Sequence, residues 1–339
     1  MRPFTFETAT TTSVAVAAAA SSQASSHVAS PTQYLAGGTT LIDLMTLDVM
    51  RPTHLVDINP LSKDPDASRI VVTDAGLRLG ALVRMSELAN HQVVQRDYPV
   101  IAQTMALAAS SGLRNMASLG GNILQRTRCS YFRDTSYAQC NKRVPGSGCA
   151  AIDGVNRGHA VLGVSNQCIA SYPGDFAQAL MALDAVLEVR GAARSRAIRF
   201  ADLHRRPGST PEIETNLQPG DLITAIHVPA PGTRRSVYVK VRDRASYAFA
   251  LVSAAVVLRL DGDHVGAVRI ALGGVASVPW RAHEAEAHLA GKPLDEAAAK
   301  AAAEIAFAGA TTRKDNAYKV PLGKETLVRA LLEAAKMEA

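Results

Sequence analysis

The four cysteines of this chain, Cys129, Cys140, Cys149 and Cys168, all fall within one 40-residue window of its 339 residues. Nothing else in the sequence constrains the fold as much. Thiols gathered on one loop are the ligand set of a metal centre. Free buried cysteines, the bland alternative, would scatter along the chain. The spacing is C-x10-C-x8-C-x18-C, without the close C-x2-C pair that zinc ribbons and fingers use. His159 is the only histidine in the window, so ligation by all four cysteines is the simple option. Two disulfides in an oxidising compartment remain an open alternative.

The flanks of the window carry a second signal. It opens after Ser118-Leu119-Gly120-Gly121-Asn122 and closes before Tyr172-Pro173-Gly174-Asp175. Consecutive glycines remove side chains and let backbone N–H groups approach a phosphate. A turn of the same kind, Leu35-Ala36-Gly37-Gly38-Thr39-Thr40-Leu41, lies about 80 residues earlier and adds two hydroxyl donors. Glycine pairs are common in plain turns, but two of them could clamp one diphosphate from two sides. Neither is a G-x-G-x-x-G fingerprint, so a Rossmann NAD site is disfavoured. The window therefore reads as an insertion into a domain that binds a phosphorylated cofactor, and a metal centre beside such a cofactor suggests electron transfer.

The length predicts two or three domains. Residues 1–60 alternate strand and helix in a βαβ pattern: Pro3–Phe6 extended, 11–26 helical, Tyr34–Ala36 a strand, Leu41–Leu47 helical and His54–Ile58 a strand. Residues 61–232 mix β and α, with a hairpin turning at Asp74-Ala75-Gly76, helices near 85–91, 98–109 and 175–182, and the cysteine loop inserted at about 125–170. Pro229 and Pro231 mark a boundary. From 233 to 339, Ser236–Val241, Ala248–Leu260 and Val265–Leu272 read as a three-stranded antiparallel sheet, followed by helices near 281–290, 294–308 and 321–337. The fold class expected is α+β.

A net charge of +6 comes without a dense Lys/Arg run, which speaks for a solvated face or an acidic partner and against nucleic acid. No stretch of 18 apolar residues spans a membrane. Val14–Ala20 is apolar but has Thr/Ser flanks and Glu7 in place of a basic region, so it reads as a short amphipathic helix and not a signal peptide. No H-E-x-x-H or G-x-S-x-G setting exists, His204 and Trp280 read as structural, and Asp243 reads as an ion-pair residue. Substrate hydroxylation is not visible in this chain.

Taken together, the two glycine turns, Ser171-Tyr172-Pro173-Gly174-Asp175 and Lys240-Val241-Arg242-Asp243-Arg244 resemble the FAD-binding medium subunits of molybdenum hydroxylases, the xanthine dehydrogenase and carbon monoxide dehydrogenase family. The resemblance covers essentially the whole chain. It implies the FAD-binding fold of that flavoprotein type, a small βαβ subdomain plus a mixed α+β subdomain, with a C-terminal antiparallel sheet and helical bundle. Carried over, Gln33, Tyr34, Leu35, Ala36, Gly37, Gly38, Thr39, Thr40 and Leu41 would cradle the FAD diphosphate. Ser118 would bond the cofactor, with Gly121 and Asn122 nearby. Asp175 would accept from its ribose or adenine end, Ile223 would line the pocket by its backbone, and Lys240 would sit near enough to favour anionic reduced flavin. Where the family carries an aromatic residue before the second turn, this chain has Ala108 or a neighbour of it.

The cysteine segments, with Val241–Val252, resemble more narrowly the flavoprotein subunits of bacterial periplasmic aldehyde oxidoreductases. That likeness implies a [4Fe-4S] cluster on Cys129, Cys140, Cys149 and Cys168. Arg126, Arg128, Arg133, Lys142 and Arg143 crowd these ligands, and their charge would lower the thiol pKa values and stabilise a reduced cluster. The expected function is an FAD and [4Fe-4S] electron-transfer subunit. Its expected partners are a molybdenum-cofactor large subunit that oxidises an aldehyde, a small two-[2Fe-2S] subunit and an external electron acceptor. Export to the periplasm with a partner bearing a twin-arginine signal is implied, with the cytoplasm as the alternative. A self-sufficient FAD oxidoreductase with a structural metal or disulfide loop, and a non-enzymatic nucleotide-binding module, are the competing functions.

Overall fold

A computed structural model describes residues 1–20 and 24–338. Three sheets account for its strands. In the first, β1 (Thr5–Thr8) and β2 (Thr32–Leu35) both run parallel to the central β3 (His54–Asp57), with His54 opposite Thr5 and Thr32. The helix Thr12–Ala20 packs Ala15, Val16 and Ala19 inward, and the same small core takes in Val56, Ile58, Leu82 and Leu222. The last two belong to the next part of the chain, so this layer is welded to the second. Of the helix expected over 11–26, residues 21–23 lie outside the described residues, and Ala24–Ser26 is not helical.

The second sheet has the order β4 (Ile70–Thr73), β5 (Gly76–Gly80), β8 (Leu222–Pro229), β6 (Val186–Arg190), β7 (Ser195–Arg199), antiparallel throughout. The expected hairpin is β4–β5. Strand β7 was not anticipated, although Ser195-Arg196-Ala197-Ile198-Arg199 buries alternate residues as an edge strand should. The fully buried helix Phe176–Ala182 packs on the third sheet and shares a core with Leu187 and Ile226 of the second.

The third sheet joins β9 (Ser236–Val241), β10 (Val252–Asp261) and β11 (His264–Gly273), and the short β12 (Trp280–Arg281) adds a fourth strand to the three expected. Strand β10 begins at Val252, not Ala248, and residues 248–251 form an irregular lead-in that follows Tyr247, at φ 51°. Period-two alternation along β10 serves two cores. Ala255 and Val257 face the second sheet with Phe176, Leu187 and Ile226, whereas Ala254, Val256 and Leu258 face Leu327 and Leu331 of the helix Lys319–Ala335. The preceding helix, Glu296–Phe307, is capped by Asp295, whose carboxylate accepts from Ala298 N at 2.7 Å. Among the described residues, no helix is long and apolar enough to cross a membrane.

Candidate functional site

Residues of β2, of both glycine turns and of β8 line one long cleft of about 1510 Å³, the space at its mouth included. The turns meet there because of Gly37. A Cβ on Gly37 would stand 2.0 Å from the carbonyl oxygen of Met116, two residues before Ser118, so only glycine lets the two backbones touch. Gly38 follows at φ 73°, a region that favours glycine. Polar side chains fasten the contact. Arg84 donates from Nη1 to Met116 O at 2.6 Å and from Nη2 to Asn59 Oδ1 at 3.1 Å, and Asn59 Nδ2 donates to Ala36 O at 3.0 Å. Neither Asn59 nor Arg84 was singled out in the sequence, since each acts on backbone far away in the chain.

The second turn is pinned from the other side. Leu119 N donates to Val83 O and Gly120 N to Ala81 O, both at 2.9 Å. Ser118 Oγ accepts from Gly121 N at 3.3 Å, which leaves its own proton free to donate. A glycine-walled cleft with Thr39, Thr40 and Ser118 on its surface fits the diphosphate of a dinucleotide cofactor.

Of the residues singled out, Gln33, Tyr34, Ala36, Gly37, Gly38, Thr39, Thr40, Leu41, Ser118, Gly121 and Ile223 line this cleft. Leu35 and Asn122 stand behind the lining, where Leu35 O accepts from Ile58 N and Asn122 N donates to Ser118 O. Asp175 and Lys240 depart from expectation. They are buried against each other, with Lys240 Nζ 2.8 Å from Asp175 Oδ2, Tyr238 Oη donating to Asp175 Oδ1 at 2.5 Å and Lys240 Nζ donating to Leu107 O at 3.1 Å. A buried carboxylate and ammonium must satisfy each other, so both are spent on tying β9 to the start of the helix Phe176–Ala182. His204, read as structural, lies in the cleft wall and donates from Nε2 to Ile123 O at 3.0 Å, and burial pushes its pKa down to about 4.

Past the second turn the cleft wall continues to Arg126, Lys142 and Glu214. Burial alone would raise the Glu214 carboxyl, but Arg126, at 2.5 Å, and Lys142, at 3.4 Å, hold it down at about 2. Arg128 and Arg133 both pair with Asp43, and Arg143 caps the carbonyls of Tyr131, Phe132 and Tyr137. Four of the cations that crowd the cysteines in sequence thus share two carboxylates, Glu214 and Asp43, and the fifth, Arg143, caps backbone. Lys142 does pull the Cys168 thiol down, but burial outweighs it. Burial pushes Cys129 up to about 12 and Cys168 up to about 11.

All four cysteines are free thiols lining a second, smaller cavity. The loop that carries them is folded by its own polar groups. Cys140 and Cys149 face each other in an antiparallel bridge, Asn141 N donates to Gly148 O at 2.7 Å, and Asn141 Nδ2 reaches Gln167 O at 3.0 Å. His159 Nε2 lies 3.1 Å from Cys129 Sγ, and Ala170 N donates to Cys168 Sγ at 3.5 Å. Among the described residues, no three His, Cys, Asp or Glu side chains converge tightly enough to hold a single metal ion. Cys168, Ala170 and Lys142 line both this cavity and the long cleft, so one thin wall separates the two. Asp243 pairs with Arg157 at 2.7 Å on the surface, as an ion-pair residue, and Trp280 lies half-buried under Arg206.

Comparison with known proteins bears on this arrangement. The family described as FAD binding domain in molybdopterin dehydrogenase matches residues 3–231, and that described as CO dehydrogenase flavoprotein C-terminal domain matches residues 237–334. The chain is 50% identical over 304 residues to the aldehyde oxidoreductase FAD-binding subunit PaoB of Escherichia coli (strain K12), which spans 89% of this chain and 91% of that one. It is 28% identical over 265 residues to the glyceraldehyde dehydrogenase medium chain of Sulfolobus acidocaldarius, covering 78% and 75% of the two chains. Among solved structures, a carbon monoxide dehydrogenase from Hydrogenophaga pseudoflava that lacks the Mo-pyranopterin moiety superposes with a TM-score of 0.75 at 25% identity, over 98% of this chain and 97% of that one.

Proposed function

Since the chain belongs to the FAD-binding subunits of the molybdenum hydroxylase family, we propose that it serves as the FAD and [4Fe-4S] electron-transfer subunit of a molybdenum-dependent aldehyde oxidoreductase. In this reading a large molybdenum-cofactor subunit oxidises the aldehyde. A small subunit with two [2Fe-2S] clusters delivers the electrons to this chain, which hands them to an external acceptor. FAD supplies the coupling between one-electron carriers and a two-electron acceptor.

The chain's own residues hold and shape the site. Gly37 lets the two turns meet at the diphosphate site, Thr39, Thr40 and Ser118 offer hydroxyl donors, and Ile223 closes the cleft wall. Cys129, Cys140, Cys149 and Cys168 would hold the cluster. A [4Fe-4S] cube binds its four thiolates at four separate irons, and four thiols around one cavity are the donor set it needs. The observation that carries the reading is the shared wall: Cys168 and Ala170 line both the cysteine cavity and the glycine-walled cleft, so a cluster there would adjoin the flavin. We place the complex in the periplasm, exported folded with a partner that bears a twin-arginine signal, and the alternative is the cytoplasm.

The test is cofactor stoichiometry. The chain is purified anaerobically with its co-expressed partners and separated, and flavin, iron and acid-labile sulfide are measured per polypeptide. One FAD with four irons and four sulfides is expected, and Cys129→Ser should lose the iron and keep the flavin. FAD with zinc or disulfides in place of iron would leave a flavoprotein subunit with a structural loop, and the cluster reading would fall.

A further inference from the structure

We infer that His159 sets the reduction potential of the cluster by donating a hydrogen bond from Nε2 to the sulfur of Cys129, 3.1 Å away. The inference rests on the cluster reading above. Among the described residues, no other side chain is hydrogen-bonded to a cysteine sulfur, and the remaining donors are backbone groups, those of Phe132 and Tyr131 toward Cys129 and Ala170 N toward Cys168 Sγ.

The direction of the bond follows from chemistry. A thiolate bound to iron carries no proton, so the proton in this contact must sit on Nε2. The other ring nitrogen, Nδ1, is buried without a partner, as suits the unprotonated nitrogen of a neutral ring. The imidazole has little freedom to leave. His159 N donates to Asn156 O at 2.9 Å, and Asn156 in turn donates from its backbone to Asp315 Oδ2 at 3.2 Å and from Nδ2 to Gly154 O at 3.1 Å. On the other side Ala160 N donates to Ile169 O at 2.9 Å, and Asn316 Nδ2 donates to Ala160 O at 3.1 Å. Lys319, itself buried, reaches Gly158 O at 3.1 Å. Asp315, Asn316 and Lys319 of the C-terminal part thus fix the backbone on either side of His159, which carries this ring.

The sign of the effect is fixed. One electron added to the cluster raises the negative charge on its ligand sulfurs, and an N–H donor stabilises that extra charge. His159 therefore raises the cluster potential, and its removal lowers it. His159 touches no flavin-lining residue of the cleft in this role, so the flavin couple should stay where it is.

The experiment is a dithionite potentiometric titration of the intact complex, with the reduced cluster followed by electron paramagnetic resonance and the flavin by absorbance. Wild type, His159→Leu and His159→Gln are compared, each with its iron and sulfide content. His159→Leu should keep its iron and show a reduced-to-oxidised ratio about tenfold lower at the wild-type midpoint, a shift of about 59 mV to lower potential for a one-electron couple. His159→Gln, which retains an N–H donor, should fall between the two, and the flavin midpoint should not move. Coincident cluster midpoints in iron-replete wild type and His159→Leu would overturn the inference while leaving the cluster reading intact. If His159→Leu loses its iron, the His159→Gln midpoint decides, and loss of iron from both variants would make His159 a structural requirement of assembly and overturn the tuning role. A wild-type complex without iron would overturn both readings at once.

Discussion

Gly37 owes its identity to a carbonyl oxygen and not to an open space for ligand. Any β-carbon there would meet Met116 O at 2.0 Å, well inside contact distance, and the neighbour is backbone that cannot swing away. Gly112 provides the contrast, since a β-carbon there meets nothing within 4 Å. Gly37→Ala should therefore separate the two glycine turns, cost about 2 kcal/mol or more as an overpacked site does, and leave the chain with less than one FAD. Gly112→Ala, in the helix Ser111–Met116, should keep its flavin and gain up to about 1 kcal/mol from helix propensity. Thermal midpoint and flavin absorbance per polypeptide distinguish them, and a Gly37→Ala protein with full flavin and wild-type stability would show that the turns need not touch.

Elements here are held together by pairs that no local pattern reveals. The strands and glycine turns were legible because alternation, turn chemistry and consecutive glycines are near-neighbour signals: the β4–β5 hairpin and β9 fall where turn chemistry and apolar runs place them. The first turn was readable as a backbone cradle, yet its fastening by Asn59 and Arg84 was not, because those contacts join residues 23 and 32 positions apart. The same limit hides the pairing of Asp175 and Lys240, which are 65 positions apart and meet only once β9 lies over the helix Phe176–Ala182. Sequence placed both near the cofactor, and folding spends both on each other. Lys240→Met should then strand a buried carboxylate and cost about 3–5 kcal/mol, while Asp175→Asn combined with Lys240→Met should recover part of that loss. Flavin per folded polypeptide should stay at the wild-type value in both. A Lys240→Met protein of normal stability that has lost its flavin would return Lys240 to the cofactor.

At the scale of the whole molecule, the sheets are not independent. Tyr238, Ala255, Val257 and Ala271 of the third sheet share one core with Leu79, Leu187 and Ile226 of the second, and Leu82 and Leu222 extend the first sheet's core into the same layer. A chain so joined should unfold in one transition, and any group whose protonation differs between folded and unfolded states should be felt by all of it. Among the groups of this kind that line the cleft are His204 and Glu214. His204 is held neutral by burial, its pKa lowered from 6.5 to about 4, so between those values the unfolded chain binds the proton and the folded chain does not. Its contribution is complete above pH 6.5 and is lost as the pH falls through 4. Glu214, lowered from 4.5 to about 2 by Arg126 and Lys142 against the pull of burial, behaves in the same sense in the next window down, complete above pH 4.5 and lost toward pH 2. Each shift corresponds to about 3 kcal/mol. Urea unfolding of wild type and His204→Phe at pH 7.5 and pH 4 should therefore show a single transition in each protein, with wild type losing about 3 kcal/mol more than the variant between the two pH values. Cofactor loss in acid is common to both proteins and cancels in the difference. Equal losses would mean that His204 takes up its proton without leaving the folded cleft, and two separate transitions would mean that the shared core does not couple the sheets.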